Sequence, residues 1–285
     1  MPFSSHTDLA YERHRASGDL EGCRYKEEPL GLCRLHTLHV DTEACGAALG
    51  CTVGCYRTLF FPPVTTLGED ETEQIAATLA VLLRQAETPQ PKRILAVGLG
   101  NRAVTVDALG PQAAGGIHAT AHLKGTAPDL FSALHCAEIA VFAPDVTANS
   151  GLETAPLVSA IAQFFAPDLV IAIDALAAHG LERLGTTVQI SNASITPGAG
   201  TRSGGLPLCG EDLPCPILSI GAPTVCTPAT LLREASEGLP AEALERLQKE
   251  TEGFFLSPQD ADTATERLAK IIATAINHAF GVPHL

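Results

Sequence analysis

Two aspartates stand among residues that are otherwise apolar. Asp174 interrupts the run DLVIAIDAL, and Asp107 lies in GLGNRAVTVDALGP, just behind the apolar stretch RILAVGL. Two carboxylates held close together cannot both be comfortably ionised, so they share a proton. One then serves as general base on a water, while its protonated partner polarises a carbonyl. Such a pair does hydrolytic chemistry. Each acid alone also reads as a helix cap, Asp107 before ALGP and Asp174 before ALAAHG.

The same region supports other chemistries. Gly98, Gly100 and Ala103 spell G-x-G-x-x-A after a strand, the dinucleotide-binding pattern, which gives an oxidoreductase using the GLGN turn as the alternative. Against it, VTVD delays the helix that should open at once, and the next strand-end acid comes too late for a ribose. No G-x-S-x-G occurs, and Ser203 in TRSGG follows no strand. His118, His122 and His179 lie near the same region, where a histidine can ligate a metal or orient a substrate. The nine cysteines include Cys51 with Cys55 and Cys209 with Cys215 but no matching second pair. They read as structural thiols rather than a zinc site.

An acid pair so far apart in sequence needs a scaffold that gathers strand ends on one rim. Strands are expected at 32–40, 53–61, 93–99, 138–143, 168–174, 186–191 and 215–223. Between them come helices at 41–50, 71–86, about 107–123 and 153–166, and two more over 243–250 and 263–280 close the chain. Ile75, Leu79, Leu82 and Leu83 recur at helical spacing, as do Leu268, Ile271, Ile272 and Ile276. Apolar strands alternating with helices imply an α/β fold, a doubly wound, mostly parallel sheet. A β extension over residues 20–65 precedes it, and the whole chain, 1–285, reads as one domain. In such sheets ligands bind outside the carboxyl ends of the strands, where both acids fall.

Composition narrows the partners. A net charge of −14 argues against direct nucleic-acid binding, which needs a basic face. No apolar run is long enough to span a membrane, and MPFSSHTDLAYERH has neither a basic start nor an apolar core, so a cytoplasmic location is expected.

In order along the chain, GLGNRAVTVDALGP, PDLVIAIDALAAHGLERLGTTVQIS, PGAGTRSGG and IGAPTVC resemble the germination protease (spore protease) family. So do HTDLAYE, LHVDTEACGAALGCTVGCYRTL and FFLSPQDADTATERLAKIIATAINHAF. The resemblance implies an atypical aspartic-type endopeptidase that degrades small acid-soluble spore proteins at germination, in the forespore or spore core. It implies a fold like that of hydrogenase maturation proteases, a homotetramer, and no cofactor. The essential acids match Asp107 and Asp174, with no metal assigned. A metal-dependent peptidase of the maturation type is the alternative. Substrate contacts are expected at Asn101, Glu153, Thr154 and His179. The family is made as a zymogen and cuts after an acid and before a hydrophobic residue followed by alanine. Asp8, Leu9 and Ala10 repeat that order, so residues 1–8 are a possible propeptide released by self-cleavage between Asp8 and Leu9. The physical expectation behind this is a polar, unpartnered end that can reach the crevice.

Overall fold

The apolar runs form the centre of an eight-stranded sheet in a computed structural model that describes residues 7–86, 90–194, 208, 213–228, 241–251 and 253–281. The first six residues of the possible propeptide and the loop PGAGTRSGG lie outside the described residues. The strands are β1 (Cys23–Leu30), β2 (Cys33–Val40), β3 (Gly54–Phe60), β4 (Arg93–Gly98), β5 (Glu138–Phe142), β6 (Leu169–Ala178), β7 (Thr187–Ser191) and β8 (Ile217–Cys226). The helices described are α1 (Ala10–Ser17), α2 (Glu43–Leu49), α3 (Glu69–Ala86), α4 (Leu109–Gly116), α5 (Leu123–Thr126), α6 (Pro128–Leu134), α7 (Thr147–Ser150), α8 (Thr154–Phe165), α9 (Ala241–Glu250) and α10 (Ala261–Ala279).

The sheet order is β1-β2-β3-β7-β8-β6-β4-β5. Its right half is parallel, with β4 beside β5 and β6, and β6 beside β8. Its left half, β1-β2-β3-β7, is antiparallel, and β7 meets β8 antiparallel. The β extension is thus continuous with the α/β sheet. From β4 the chain steps outward to β5 and then crosses back to β6, so the strand order reverses between β4 and β6. That is the switch point where open α/β sheets form their crevice.

Two apolar layers follow from strand alternation. Ile94, Ala96, Ile171, Ile173, Leu218 and Ile220 face α3, α4 and α10, and the predicted stripes Ile75-Leu79-Leu82-Leu83 and Leu268-Ile271-Ile272-Ile276 are buried there. Each such side chain contributes about 1.5–3 kcal/mol by leaving water. On the opposite face Leu95, Val97, Val170 and Ala172 pack against Ala155, Val158 and Ala162 of α8. At the antiparallel end a separate cluster of Ala10, Leu38, Val40, Cys45, Leu49 and Tyr56 seats α1 and α2.

Four elements differ from the sequence reading. The strand expected at 168–174 continues to Ala178, because residues 174–178 keep pairing with 221–226 of β8 through a bulge at Leu176/Ala177. Asp174 therefore sits inside a strand and caps no helix. The helix expected near 107–123 is broken into a 3-10 turn at Thr105–Asp107, then α4 and α5. Strand β7 returns antiparallel, since the few residues after β6 hold only a 3-10 turn at Leu181–Arg183, too short for a crossover. Strand β1, CRYKEEPL, was not expected at all, because its charges and proline hide the alternation.

Candidate active site

The segment after β4 is shaped around one carboxylate. Leu99 donates its amide to the carbonyl of Ile173 at 2.8 Å, carrying the chain over β6. Gly100 then takes φ +112, and a Cβ there would fall 2.2 Å from the carbonyl oxygen of Asp107. Only glycine fits this approach. The amide of Asn101 donates to Asp107 Oδ2 at 2.8 Å, while Asn101 Oδ1 accepts from the Ala103 amide at 2.9 Å. Asp107 closes the 3-10 turn, and the Thr224 hydroxyl of β8 donates to the carbonyl of Val106 at 2.5 Å. That bond and the packing of the turn against β6 and β8 fix the acid over the switch point.

Asp107 is no helix cap, because α4 begins after Ala108 and has no side-chain cap. Burial, above all, pushes its carboxyl up from the ordinary value; the Asn101 amide opposes this, and the charge of Asp145 adds to it. Asp107 is 9 % exposed. The like charge that adds to this shift is thus Asp145, an acid the sequence reading did not single out. Asp145 follows β5 on the same rim, at φ +66, with Oδ1 accepting from the Val146 amide and Asn149 Nδ2. A left-handed aspartate is the available sequence signal for such a turn.

The second acid is more deeply enclosed. Asp174 is 3 % exposed, lies opposite Gly221 of β8, and accepts the Ala175 amide on Oδ1 at 2.9 Å. By alternation it shares the face of Val170 and Ala172, whose apolar cluster, among the described residues, does not include it. Instead it lines a pocket of about 220 Å³ together with Asp8, Arg13, Gln189, Ser191 and Ser219. The described lining of this pocket includes Asp174 and Asp8 but not Asp107, which reaches the rim from the turn above β6 and β8.

The other predicted positions divide between the two flanks. Glu153 is the exposed N-cap residue of α8, and the Thr154 hydroxyl donates to the Asp145 carbonyl at 3.4 Å; both belong to the β5 side. Asn101 touches Asp107 directly. His179 lies just past β6, on the α1 side, with its amide donating to Glu12 Oε2 at 2.6 Å.

Asp8 and Leu9 do not behave as a free end. The Asp8 amide donates to the Ala177 carbonyl at 2.9 Å, and the Ala177 amide donates to Asp8 Oδ2 at 2.8 Å. Gln189 Nε2 donates to the Asp8 carbonyl, and Gln189 Oε1 accepts from the Ala10 amide. Leu9 is completely buried. Glu12, unnoticed in the sequence, anchors this segment: its carboxylate accepts from the amides of His179 and Gly180 and from the Thr7 hydroxyl. Burial pushes the Glu12 carboxyl up, and those donors with Arg183 oppose the shift. Arg13 completes the anchor through Nε to the Thr7 carbonyl at 2.8 Å and Nη1 to the Gly50 carbonyl.

This geometry weighs against the dinucleotide alternative. A pyrophosphate needs free amides at a helix start directly after the glycines. Here the Asn101 amide is taken by Asp107, and α4 starts only at Leu109. Among the described residues no group of three or more His, Cys, Asp or Glu side chains is arranged to hold a metal ion. No helix among the described residues is long and apolar enough to cross a membrane.

Comparison with known proteins identifies the family. The family model described as Germination protease matches residues 5–239. The germination protease of Caldanaerobacter subterraneus subsp. tengcongensis is 32% identical, over 96% of this chain and 93% of its own length. That of Clostridium tetani is 30% identical over 97% of this chain and 95% of its own length, and that of Bacillus subtilis 34% over 79% and 64%. Among solved structures, the [NiFe] hydrogenase maturation protease HycI from Thermococcus kodakarensis is matched at TM-score 0.38 and 22% identity, over 69% of this chain and 99% of that one. With a family model spanning most of its length and relatives aligned almost end to end, this chain belongs to the germination protease family and is a peptidase of spore germination.

Proposed function

We propose that this chain is an endopeptidase that degrades small acid-soluble spore proteins at germination, and that Asp107 and Asp174 perform the hydrolysis. The observation that carries the reading is the placement of a buried, hydrogen-bonded carboxyl at the switch point, next to a strand that holds a second buried carboxyl in a polar pocket. Asp107, pushed up by burial, is the member that keeps its proton and polarises the scissile carbonyl. Asp174 takes a proton from water, which attacks the carbonyl carbon to give a tetrahedral oxyanion held by a hydrogen bond from the Asp107 carboxyl. Asp174 then returns the proton to the leaving amide nitrogen as the C–N bond breaks. The Asn101 amide holds Asp107 in orientation, and Glu153, Thr154 and His179 contact the substrate chain on either flank.

In the same reading the protein is a self-processing zymogen cut between Asp8 and Leu9. Support comes from the pocket that Asp8 and Asp174 line together, which brings the acid of that motif beside the proposed base. The full chain acts as one peptidase domain, assembled as a homotetramer in the forespore or spore core.

The test is incubation with a small acid-soluble spore protein and mass spectrometry of the fragments. Asp107→Asn and Asp174→Asn should each lower cleavage by roughly 10²–10⁴-fold with the fold retained. The double variant should be no worse than either single, because members of one catalytic unit are not additive. Near-wild-type cleavage by either single variant would remove that residue from the mechanism.

A further inference from the structure

Three cysteines meet in the corner where α1, α2 and β1 pack together. Cys45, in the first turn of α2, is 2 % exposed, and Cys23 and Cys51 pack against the cluster that buries it. The eight cysteines among the described residues are all free thiols.

The backbone draws Cys23 and Cys45 together from two elements. Cys23 opens β1 opposite Val40 of β2, and the Asp41 amide donates to the Gly22 carbonyl at 2.8 Å. Thr42 then folds over Gly22 so closely that a Cβ on that glycine would lie 2.4 Å from Thr42 Oγ1. The same Oγ1 caps α2 by accepting the Cys45 amide at 3.2 Å. In consequence the Cys23 side chain packs against the cluster that holds Cys45, and burial, with the neighbouring Cys23 sulfur after it, pushes the Cys45 thiol up.

The two sulfurs differ in the way a redox couple requires. Cys23 is partly exposed, with Sγ 4.0 Å from His14 Nδ1 and a bond to the Leu20 carbonyl at 3.1 Å. A thiol reached by solvent and placed beside an imidazole is the one that reacts first. Cys45 is enclosed and reacts only with a neighbour.

We propose that Cys23 and Cys45 form a reversible thiol–disulfide couple that latches α2 to β1. The oxidant is a low-molecular-weight disulfide such as glutathione disulfide. The Cys23 thiolate attacks one of its sulfurs, forming a mixed disulfide and releasing one glutathione thiol. The Cys45 thiolate then attacks Cys23 Sγ, closing the protein disulfide and releasing the second thiol. Two protein thiols are oxidised, one small disulfide is reduced to two thiols, and the protons stay balanced. The latch bears on the site because Gly50, Cys51 and Thr52, directly after α2, line the pocket of Asp174. Arg13 ties that wall to the Asp8 segment through the Gly50 carbonyl.

The experiment treats the native full chain with glutathione disulfide, blocks free thiols, and maps unreduced peptides. A linked Cys23–Cys45 peptide is expected, with a Tm roughly 5–10 °C higher that dithiothreitol reverses. Amide exchange across residues 46–52 should slow by about tenfold. Cys45→Ser should stop at a glutathione mixed disulfide on Cys23, whereas Cys215→Ser should close the bond like wild type. Full alkylation of Cys23 and Cys45 after oxidation would overturn the proposal, as would a bond from Cys45 to Cys51 in place of Cys23.

Discussion

Asp107 shows how one side chain is tuned by its fold. Burial raises its carboxyl above the usual range, so the folded state holds the proton more tightly than the unfolded chain does. Such a group stabilises the fold fully below its unfolded pKa, about pH 4. That contribution is lost as the pH rises through the raised folded value. Asparagine keeps an oxygen to accept the Asn101 amide but never ionises. Thermal unfolding of wild type and Asp107→Asn should therefore agree most closely near pH 4, and the variant should gain relative to wild type as the pH rises to neutrality. A gap that instead moves in favour of wild type with rising pH would show that the carboxylate is welcomed by its site, contrary to the burial argument. The residue itself was legible in the sequence as an acid after an apolar strand. Its partner Asp145 was not, because an aspartate in APDVTANS looks like any turn residue until the sheet order puts β5 beside β4.

The elements around the pocket explain why the N-terminal segment resists a reading from sequence. SSHTDLAYERH is polar and reads as an end, yet Leu9 is fully buried and Glu12 closes over the corner after β6. Nothing local signals that Asp8 will pair with Ala177, a partner supplied by the far half of the chain. The same non-local cause lengthens β6: Asp174 looks like a terminus, but pairing with β8 carries the strand to Ala178. Long helices such as α3 and α10 were legible because a repeated apolar face survives without knowledge of its neighbour. Removing the anchor tests the role of the segment. Glu12→Ala leaves the amides of His179 and Gly180 without acceptors, which costs about 2–4 kcal/mol in total. In the structure the Asp8–Leu9 bond is packed away, so self-cleavage needs this segment to lift from β6. The variant should then yield chains beginning at Leu9 faster than wild type, read by intact mass, with Asp174→Asn in the same background as the uncut control. Equal rates in Glu12→Ala and wild type would mean that release of the segment does not limit processing.

At the scale of the molecule, charge and sheet edges govern assembly. Strands β2 and β3 are both paired inside the sheet; the left-hand edge belongs to β1. That edge is guarded by Pro29 and by ion pairs of Arg24 with Asp41, Lys26 with Glu28 and Arg34 with Glu27. Prolines and charges of this kind discourage a further strand from adding. If the proposed homotetramer forms, exposed apolar side chains such as Phe164 of α8, which is 87 % exposed, are the contacts to test. Every chain brings a net charge of −14, so association gathers like charge and is opposed by long-range repulsion. Salt shortens the reach of that repulsion from about 30 Å at 0.01 M to about 8 Å at 0.15 M. Light scattering at micromolar concentration should accordingly give a tetramer at 0.15 M salt and a shift toward smaller species at 0.01 M. Phe164→Glu, which replaces an exposed apolar side chain with a further charge, should push the balance the same way at both salts. A monomer at 0.15 M would rule out the tetramer, and a tetramer that tightens as salt is removed would mean that opposite charges, rather than apolar contact, join the chains.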